Sequence, residues 1–466
     1  MCYTLNGDNM KVKMMELERR KGKALYLQIY EKLRKDIVSG YLVKGDQLPS
    51  IRKCETMMKV SKTSVLHAYE KLIEEGYIQP YAKKGYFVEV EKESIQLRNQ
   101  ILMPAPAKNE MVRFDFRSQT MDVDAFDLVL WKKYLKQALD GHEEIATYGD
   151  ARGELSLRRA LQKYAYTMRG VLCNENQIVA GSGFQSLLYV LCPLLGKNQV
   201  VGMEKQGFLQ AESVFRDYEM PIRFLKQDRD GVNMQSLYES DVTLLYLHSA
   251  ASGLGHQPIS KRKRKELLAW AEEKGGWIIE DDHNGELRYA SKMNLAMQGY
   301  DSKGHVIYSG SFSKILLPSL RISYMVLPSS LNALYEKRLR SYAPTSSKIE
   351  QLALACYIAD GNLERHVRRL RKHYEQKSKY MYSLLCTEFM DAHIMLEEAA
   401  LQYVLHFERP IDIESILLQA KKEGILLQDN NRKDLVLSFA AIKMEDMKEA
   451  VHQLKEIVQK NENNIA

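Results

Sequence analysis

Three stretches of this sequence each end an apolar run with side chains able to do chemistry. "NQIVAGSGFQSLL" passes from a β-like run through a glycine-rich turn into a helix. The free N–H groups of such a helix start, at the positive end of its dipole, suit a phosphate. "GWIIEDDHN" ends its run in carboxylates, Asp281 among them, followed by His283. "HVIYSGSFSK" ends in Ser311, Ser313 and a lone lysine, Lys314, with Arg321 seven residues further on. Each feature has an ordinary explanation by itself: a structural turn, a helix cap, a solvated lysine. Together they supply an amine, an acid and an anion cradle.

One cofactor uses that set: pyridoxal 5′-phosphate. A lysine amine condenses with its aldehyde. A carboxylate keeps its ring nitrogen protonated, which makes the ring an electron sink. Its flat ring also calls for an aromatic face.

The elements that must position these residues are legible from residue 113 onward. "NQIVAG", "QVVGME", "VTLLYLH", "GWIIED", "HVIYSG" and "ISYMVLP" are short, apolar and rich in β-branched residues, with helical segments such as "KRKRKELLAWAEEK" between them. This α/β alternation predicts a mostly parallel sheet covered on both faces. Ligands bind beyond the carboxyl ends of such strands, which is where the reactive residues fall.

The first fifth of the chain differs. Residues 1–98 carry 19 Lys+Arg against 13 Asp+Glu, so most of the net charge of +7 lies there. A basic module on a nearly neutral body points to a polyanionic partner. "LYLQIYEKLRKDIVSG" has apolar residues at Leu25, Ile29, Leu33 and Ile37, the stripe of one helix ending at Gly40. "KGDQLPS" reads as a turn, and Ser50 caps a short helix, "IRKCETMMK". Ser61 caps a second, "KTSVLHAYEKLIEEG", with Val65, Tyr69 and Leu72 facing inward. Two β-like runs follow, "YIQP" and "GYFVEV", joined by "YAKKG". Helix, helix, turn, helix and basic hairpin is the order of a winged helix-turn-helix. In it the helix from Lys62 enters the major groove, and Lys83 and Lys84 sit at the wing tip.

At 466 residues, 45% apolar and 27% charged, the chain has room for two or three soluble domains. Its longest apolar stretch, "LLYVLCPLLG", is far short of a membrane span. Six cysteines lie singly, with no metal-like spacing, and no secretory signal is readable. These features predict a cytoplasmic protein with no structural metal. The expected division is a tail at 1–22, the winged helix at 23–90, a linker at 91–112 and a body at 113–466. The body splits into a large part at about 113–340 and a smaller C-terminal α+β part at about 341–466.

Residues 26–89 resemble the GntR-type winged helix, on "G-x-L-x-x-G-x-x-L-P-S-x-R" followed by "V-S-[RK]-x-[ST]-V". The resemblance implies DNA contacts at Arg52, Lys62, Thr63 and Lys84, with lysine where the family usually has arginine at 62. Lysine makes no bidentate fork to guanine. From about Phe114 the chain resembles a fold type I aminotransferase, on "TYGDARGELSLRRAL", "AGSGFQSLL", "EKQGF", "IIEDDHNGELRY", "VIYSGSFSKILLPSLRISYMVLP" and "LVLSFAAI". The two halves together resemble the MocR/GabR group of GntR-type regulators.

That resemblance implies that Lys314 holds pyridoxal phosphate as a Schiff base and Asp281 pairs with its ring nitrogen. Gly183, Phe184, Gln185, Ser311 and Arg321 hold the phosphate, Ser313 belongs to the same hydroxyl group, and Phe208 stacks on the ring. Tyr148 reaches the partner subunit's cofactor, which implies a homodimer. Three departures stand out. His283 replaces the usual tyrosine, Pro258 comes late in "HSAASGLGHQPIS", and Arg432 is the candidate clamp for an effector carboxylate. The implied function is a DNA-binding regulator that senses pyridoxal phosphate or an amine. The alternatives are an active aminotransferase with a DNA-binding appendage and a regulator whose body only dimerises.

Overall fold

The computed structural model describes residues 24–90, 112–117, 121–205, 208–251, 258–290, 294–428 and 434–462. The tail at 1–22, linker residues 91–111 and Arg432 lie outside the described residues. The chain divides into two units, Met1–Glu110 and Met111–Ala466.

In the first unit, helix α1 (Leu25–Val38) buries Ile29, Tyr30, Leu33 and Ile37. Helix α2 (Ile51–Met58) follows strand β1 (Gln47–Leu48), and helix α3 (Lys62–Glu74) buries Val65, Ala68, Tyr69 and Leu72. Strands β2 (Ile78–Tyr81) and β3 (Gly85–Val88) form the hairpin. One expectation is corrected: "KGDQLPS" is not only a turn. Gln47 and Leu48 pair antiparallel with Phe87 and Tyr86, making β1 the third strand of a β1-β3-β2 sheet. Two residues among Gly, Asp and Pro carry no readable period, so only the tertiary pairing reveals them.

The second unit is built on a seven-stranded sheet. Its strands are β5 (Ile178–Gly181), β6 (Val201–Met203), β7 (Ile222–Phe224), β10 (Leu244–His248), β11 (Trp277–Asp281), β12 (Val306–Ser311) and β13 (Ser323–Val326), in the order β5-β13-β12-β11-β10-β6-β7. The small hairpin β8 (Gln227–Asp228) and β9 (Gly231–Val232) lies outside it. From β12 to β7 every pairing is parallel; β13 runs antiparallel to both neighbours. Strand β7 escapes sequence reading because it is three residues long, mostly exposed and at the sheet edge.

Alternation along the strands sends successive side chains to opposite faces. Tyr246, Ile279 and Ile307 pack with Leu187, Leu188 and Leu191 of the helix Phe184–Leu195. Leu245, Leu247 and Ile278 pack with Leu267 and Trp270 of the helix Lys261–Lys274. The C-terminal part has an antiparallel sheet of β14 (Ala392–Glu397), β15 (Gln402–Phe407) and β17 (Leu435–Ser438), with helices Asn362–Glu388, Ile413–Lys422 and Met447–Glu462. Strand β4 (Phe114–Asp115) pairs with β16 (Ile425–Leu426). The body therefore begins against its C-terminal part and not within the large part as expected. Among the described residues no helix is long and apolar enough to cross a membrane.

Candidate functional site

Three acids in a row leave β11, and alternation gives them different tasks. Glu280 is fully buried and accepts the N–H groups of Met297 (2.6 Å) and Gln298 (2.9 Å). Asp282 is also fully buried, gripped by Arg169 through Nε (2.5 Å) and Nη2 (2.9 Å), with Tyr308 and Ser249 hydroxyls donating as well. Both acids hold the structure together. Asp281, between them, faces the other way.

There Tyr246 Oη donates to Asp281 Oδ2 at 2.8 Å and the His283 N–H donates to Oδ1 at 3.1 Å. Among the described residues no Lys or Arg pairs with it. Burial pushes this carboxyl above the usual carboxylate range, against the pull of His248 and the two donors. A buried carboxylate with neutral donors only is where an arriving cation gains most.

Lys314 lies three residues beyond β12 and is 8% exposed. Burial lowers its pKa to about 8, against the opposing pull of Asp115. His283 is half-buried; burial, with His248 and Lys314 nearby, lowers its pKa to about 3, so the imidazole is neutral. His248 stands level with Asp281 across the β10–β11 pair, and its Nε2 lies 3.1 Å from the His283 carbonyl oxygen.

The glycine turn lies beside this group. Gly183 has φ +109°, and a Cβ there would stand 2.6 Å from Arg321 Nη2. The arginine thus rests against the turn that opens the helix Phe184–Leu195, whose first turn has no side-chain cap. Register carries a row of small groups across the same end of the sheet: Ser311 opposite Ser323, and Ser323 opposite Gly181. Ser323 Oγ donates to Ser311 Oγ (3.1 Å), and the Ser313 N–H donates to Ser311 Oγ (3.4 Å). Phe184 sits 6.0 Å, centroid to centroid, from both Phe208 and Tyr246.

These residues fit pyridoxal phosphate: a buried acid with no Lys or Arg partner among the described residues for the ring nitrogen, a buried amine, and a cation against an uncapped helix start. The turn carries a direct test. Gly183→Ala adds a side chain at positive φ and displaces Arg321, which should weaken cofactor affinity about tenfold to a hundredfold, one charge-assisted contact's worth. An absorbance titration reads the loss, and Arg321→Ala should match it.

Comparison with known proteins shows the family. The family "Aminotransferase class I and II" matches residues 119–454, and "Bacterial regulatory proteins, gntR family" matches residues 25–88. The chain is a GntR-type transcription regulator with an aminotransferase body. It is 31% identical to the uncharacterized HTH-type regulator YdeL of Bacillus subtilis, over 92% of this chain and 96% of that one. It is 27% identical to the probable rhizopine catabolism regulatory protein MocR of Rhizobium meliloti, over 95% of each. An archaeal alanine:glyoxylate aminotransferase superposes with TM-score 0.68 at 19% identity, covering 79% of this chain and 94% of that one, which speaks for the fold.

In the regulator's head, Ser61 Oγ accepts the Ser64 N–H and caps α3, leaving Lys62 and Thr63 exposed at its first turn. Arg52 is exposed on α2. Lys83 has φ +61° in the tight turn between β2 and β3, which presents it and Lys84 to solvent.

In the regulator's body the structure brings Asp281, His283, Lys314 and Ser311 to one end of the sheet, with Gly183 and Arg321 at the adjoining β5–β13 corner. Gln185 is half-buried in the helix's first turn. Tyr148 is 98% exposed and so lines no pocket of its own chain. Sequence reading passed over Tyr246 and His248, although "VTLLYLH" ends at the same sheet edge. Ser323 and Asp115 were missed as well, because register and the β4–β16 pairing bring them near.

Proposed function

We propose that this regulator binds pyridoxal phosphate at Lys314 and Asp281 and reports the cofactor, or an amine that competes for it, to a winged helix on double-stranded DNA. The observation that carries the reading is Asp281. It is buried at the carboxyl end of the sheet, with hydrogen bonds from Tyr246 and the His283 N–H, His248 beside it and no Lys or Arg partner among the described residues, while its neighbour Asp282 is paired with Arg169. A purely structural site gains little from burying an acid without a Lys or Arg to pair it.

When bound, the cofactor supplies an aldehyde carbon and an electron-withdrawing ring. Asp281 would hold the charge of the ring nitrogen, Tyr246 and the His283 N–H orient that carboxylate, and Arg321 with the Gly183 turn would neutralise the phosphate. Neutral His283 offers a hydrogen bond without adding charge beside Lys314. An effector changes DNA binding only through different affinities for two arrangements of the body. Tyr148, almost wholly exposed, is available to a second copy, as a homodimer needs.

Footprinting the protein on its own upstream DNA, with and without pyridoxal phosphate and a panel of amines, tests the sensor. Protection that shifts with either ligand is expected. Protection indifferent to all of them sinks the sensing role. In the same assay Lys83→Gln with Lys84→Gln should lower the salt dependence of binding, with a slope change of about 2 for two lost phosphate contacts.

A further inference from the structure

We propose that the regulator's body carries a second contact for nucleic acid, a phosphodiester-binding stripe on the outer face of the helix Asn362–Glu388. The inference rests on the reading of the chain as DNA-binding.

The sequence "HVRRLRK" looks like a simple charge run, but the helix sorts it. Leu363, His366, Val367, Leu370 and Tyr374 are buried. Arg371 is half-buried, and its Nε donates to the Glu286 carbonyl at 2.6 Å. Arg365, Arg368, Arg369 and Lys372, spaced i, i+3, i+4 and i+7, are left exposed on one face. With Asn362 and Leu130 they line a groove of about 410 Å³.

None of the four makes an ion pair among the described residues. Arg365 donates to the Asp360 carbonyl just ahead of the helix and to Asn362 Oδ1 in its first turn. Three nearby acids are otherwise engaged: Asp127 caps its own helix, Asp360 accepts from Tyr134 Oη and Glu375 pairs with Lys379. Glu364 makes no ion pair among the described residues, and its Oε2 is buried without a hydrogen-bond partner. The adjoining helix Leu128–Leu139 adds Lys132, Lys133 and Lys136, all exposed. The helix also begins at Gly361 with no side-chain cap, which adds positive potential at that end.

Like charges at these spacings repel one another by a few tenths of a kcal/mol per pair, so folding alone does not favour the stripe. A merely solvated face would mix signs, as Glu375 and Lys379 do two turns later. From Arg365 to Lys372 the helix runs about 10 Å, a length over which a duplex presents about six phosphate charges. Three of the four cations are arginines, whose planar forks match phosphate oxygens. A duplex backbone is therefore favoured over the patchier acids of a protein surface.

The test uses the full chain and a long mixed-sequence duplex, with affinity measured by fluorescence anisotropy over a range of salt. One variant combines Arg365→Gln, Arg368→Gln, Arg369→Gln and Lys372→Gln; a companion carries Arg365→Lys, Arg368→Lys and Arg369→Lys. The first should lower the slope of log affinity against log salt by about 3, with unchanged circular dichroism, and the second should retain most of it. A head variant, Lys62→Gln with Lys83→Gln and Lys84→Gln, separates the two readings. If only the head variant weakens binding, the stripe is overturned and the DNA-binding head stands. If neither does, both fall. A changed sedimentation coefficient with an unchanged slope would assign the stripe to contact between copies of the chain and overturn the proposal.

Discussion

Lys314→Met, freed of cofactor, will resist urea better than the native chain and will no longer retain pyridoxal phosphate after borohydride treatment. Both results follow from one fact: an ammonium held in a buried place. A pKa brought down from 10.5 to about 8 corresponds to a penalty of about 3 kcal/mol on the charged form. The folded pKa lies below the unfolded one, so between about pH 8 and 10.5 the unfolded chain binds more protons and stability rises with pH. Below that window the penalty is fully present. Methionine, of similar length and without charge, removes it. The gain should therefore be largest near neutral pH and disappear above pH 10.5.

The same shift sets reactivity. Near pH 7 Lys314 has about 300-fold more neutral amine than an ordinary lysine would. Cofactor attachment should accelerate about tenfold per pH unit up to about pH 8 and then level off. Stopped-flow absorbance gives that profile. A rate still climbing steeply at pH 9.5 would mean that the lysine is not buried when it reacts. Stability lost, instead of gained, in Lys314→Met would mean that the ammonium is well compensated.

The second large effect lies one residue from Asp281. Asp282→Asn leaves the fully buried Arg169 without its anion, and breaking a buried pair from one side costs about 3–5 kcal/mol. Asp281→Asn removes a carboxylate that has no Lys or Arg partner among the described residues. It should cost much less stability while lowering cofactor affinity. Urea melts of the two variants, paired with absorbance titrations, separate the holding acid from the binding acid. If Asp281→Asn proves the more destabilising, the assignment is reversed. Arg169 holds Asp282 below the usual carboxylate range despite its burial, so this contribution is fully present at neutral pH and is lost in acid.

Much of this was readable in the letters. Apolar runs punctuated by "GSG", "EDD" and "SGSFSK" announce strands that end in chemistry, because a residue just past a buried strand cannot avoid the sheet's edge. The winged-helix order was equally plain: helical period, capping serines and a basic hairpin are all local properties. Local properties survive in a linear text.

The division of labour within "EDD" did not. Alternation says that Asp281 and Asp282 part company, but not which face meets Arg169, which stands 113 residues earlier in the chain. Nor do the letters say that the Gly183 turn meets Arg321, that Ser323 joins the hydroxyl row, or that Asp115 acts on Lys314. The run "RRLRK" likewise conceals which arginine turns inward. Each of these depends on strand register or on packing between distant segments, and pairing energies arise only once the chain has closed those loops. Composition and period therefore chose the chemistry and the kind of fold, while tertiary contact alone decided which acid stays unpaired and which cations face the solvent.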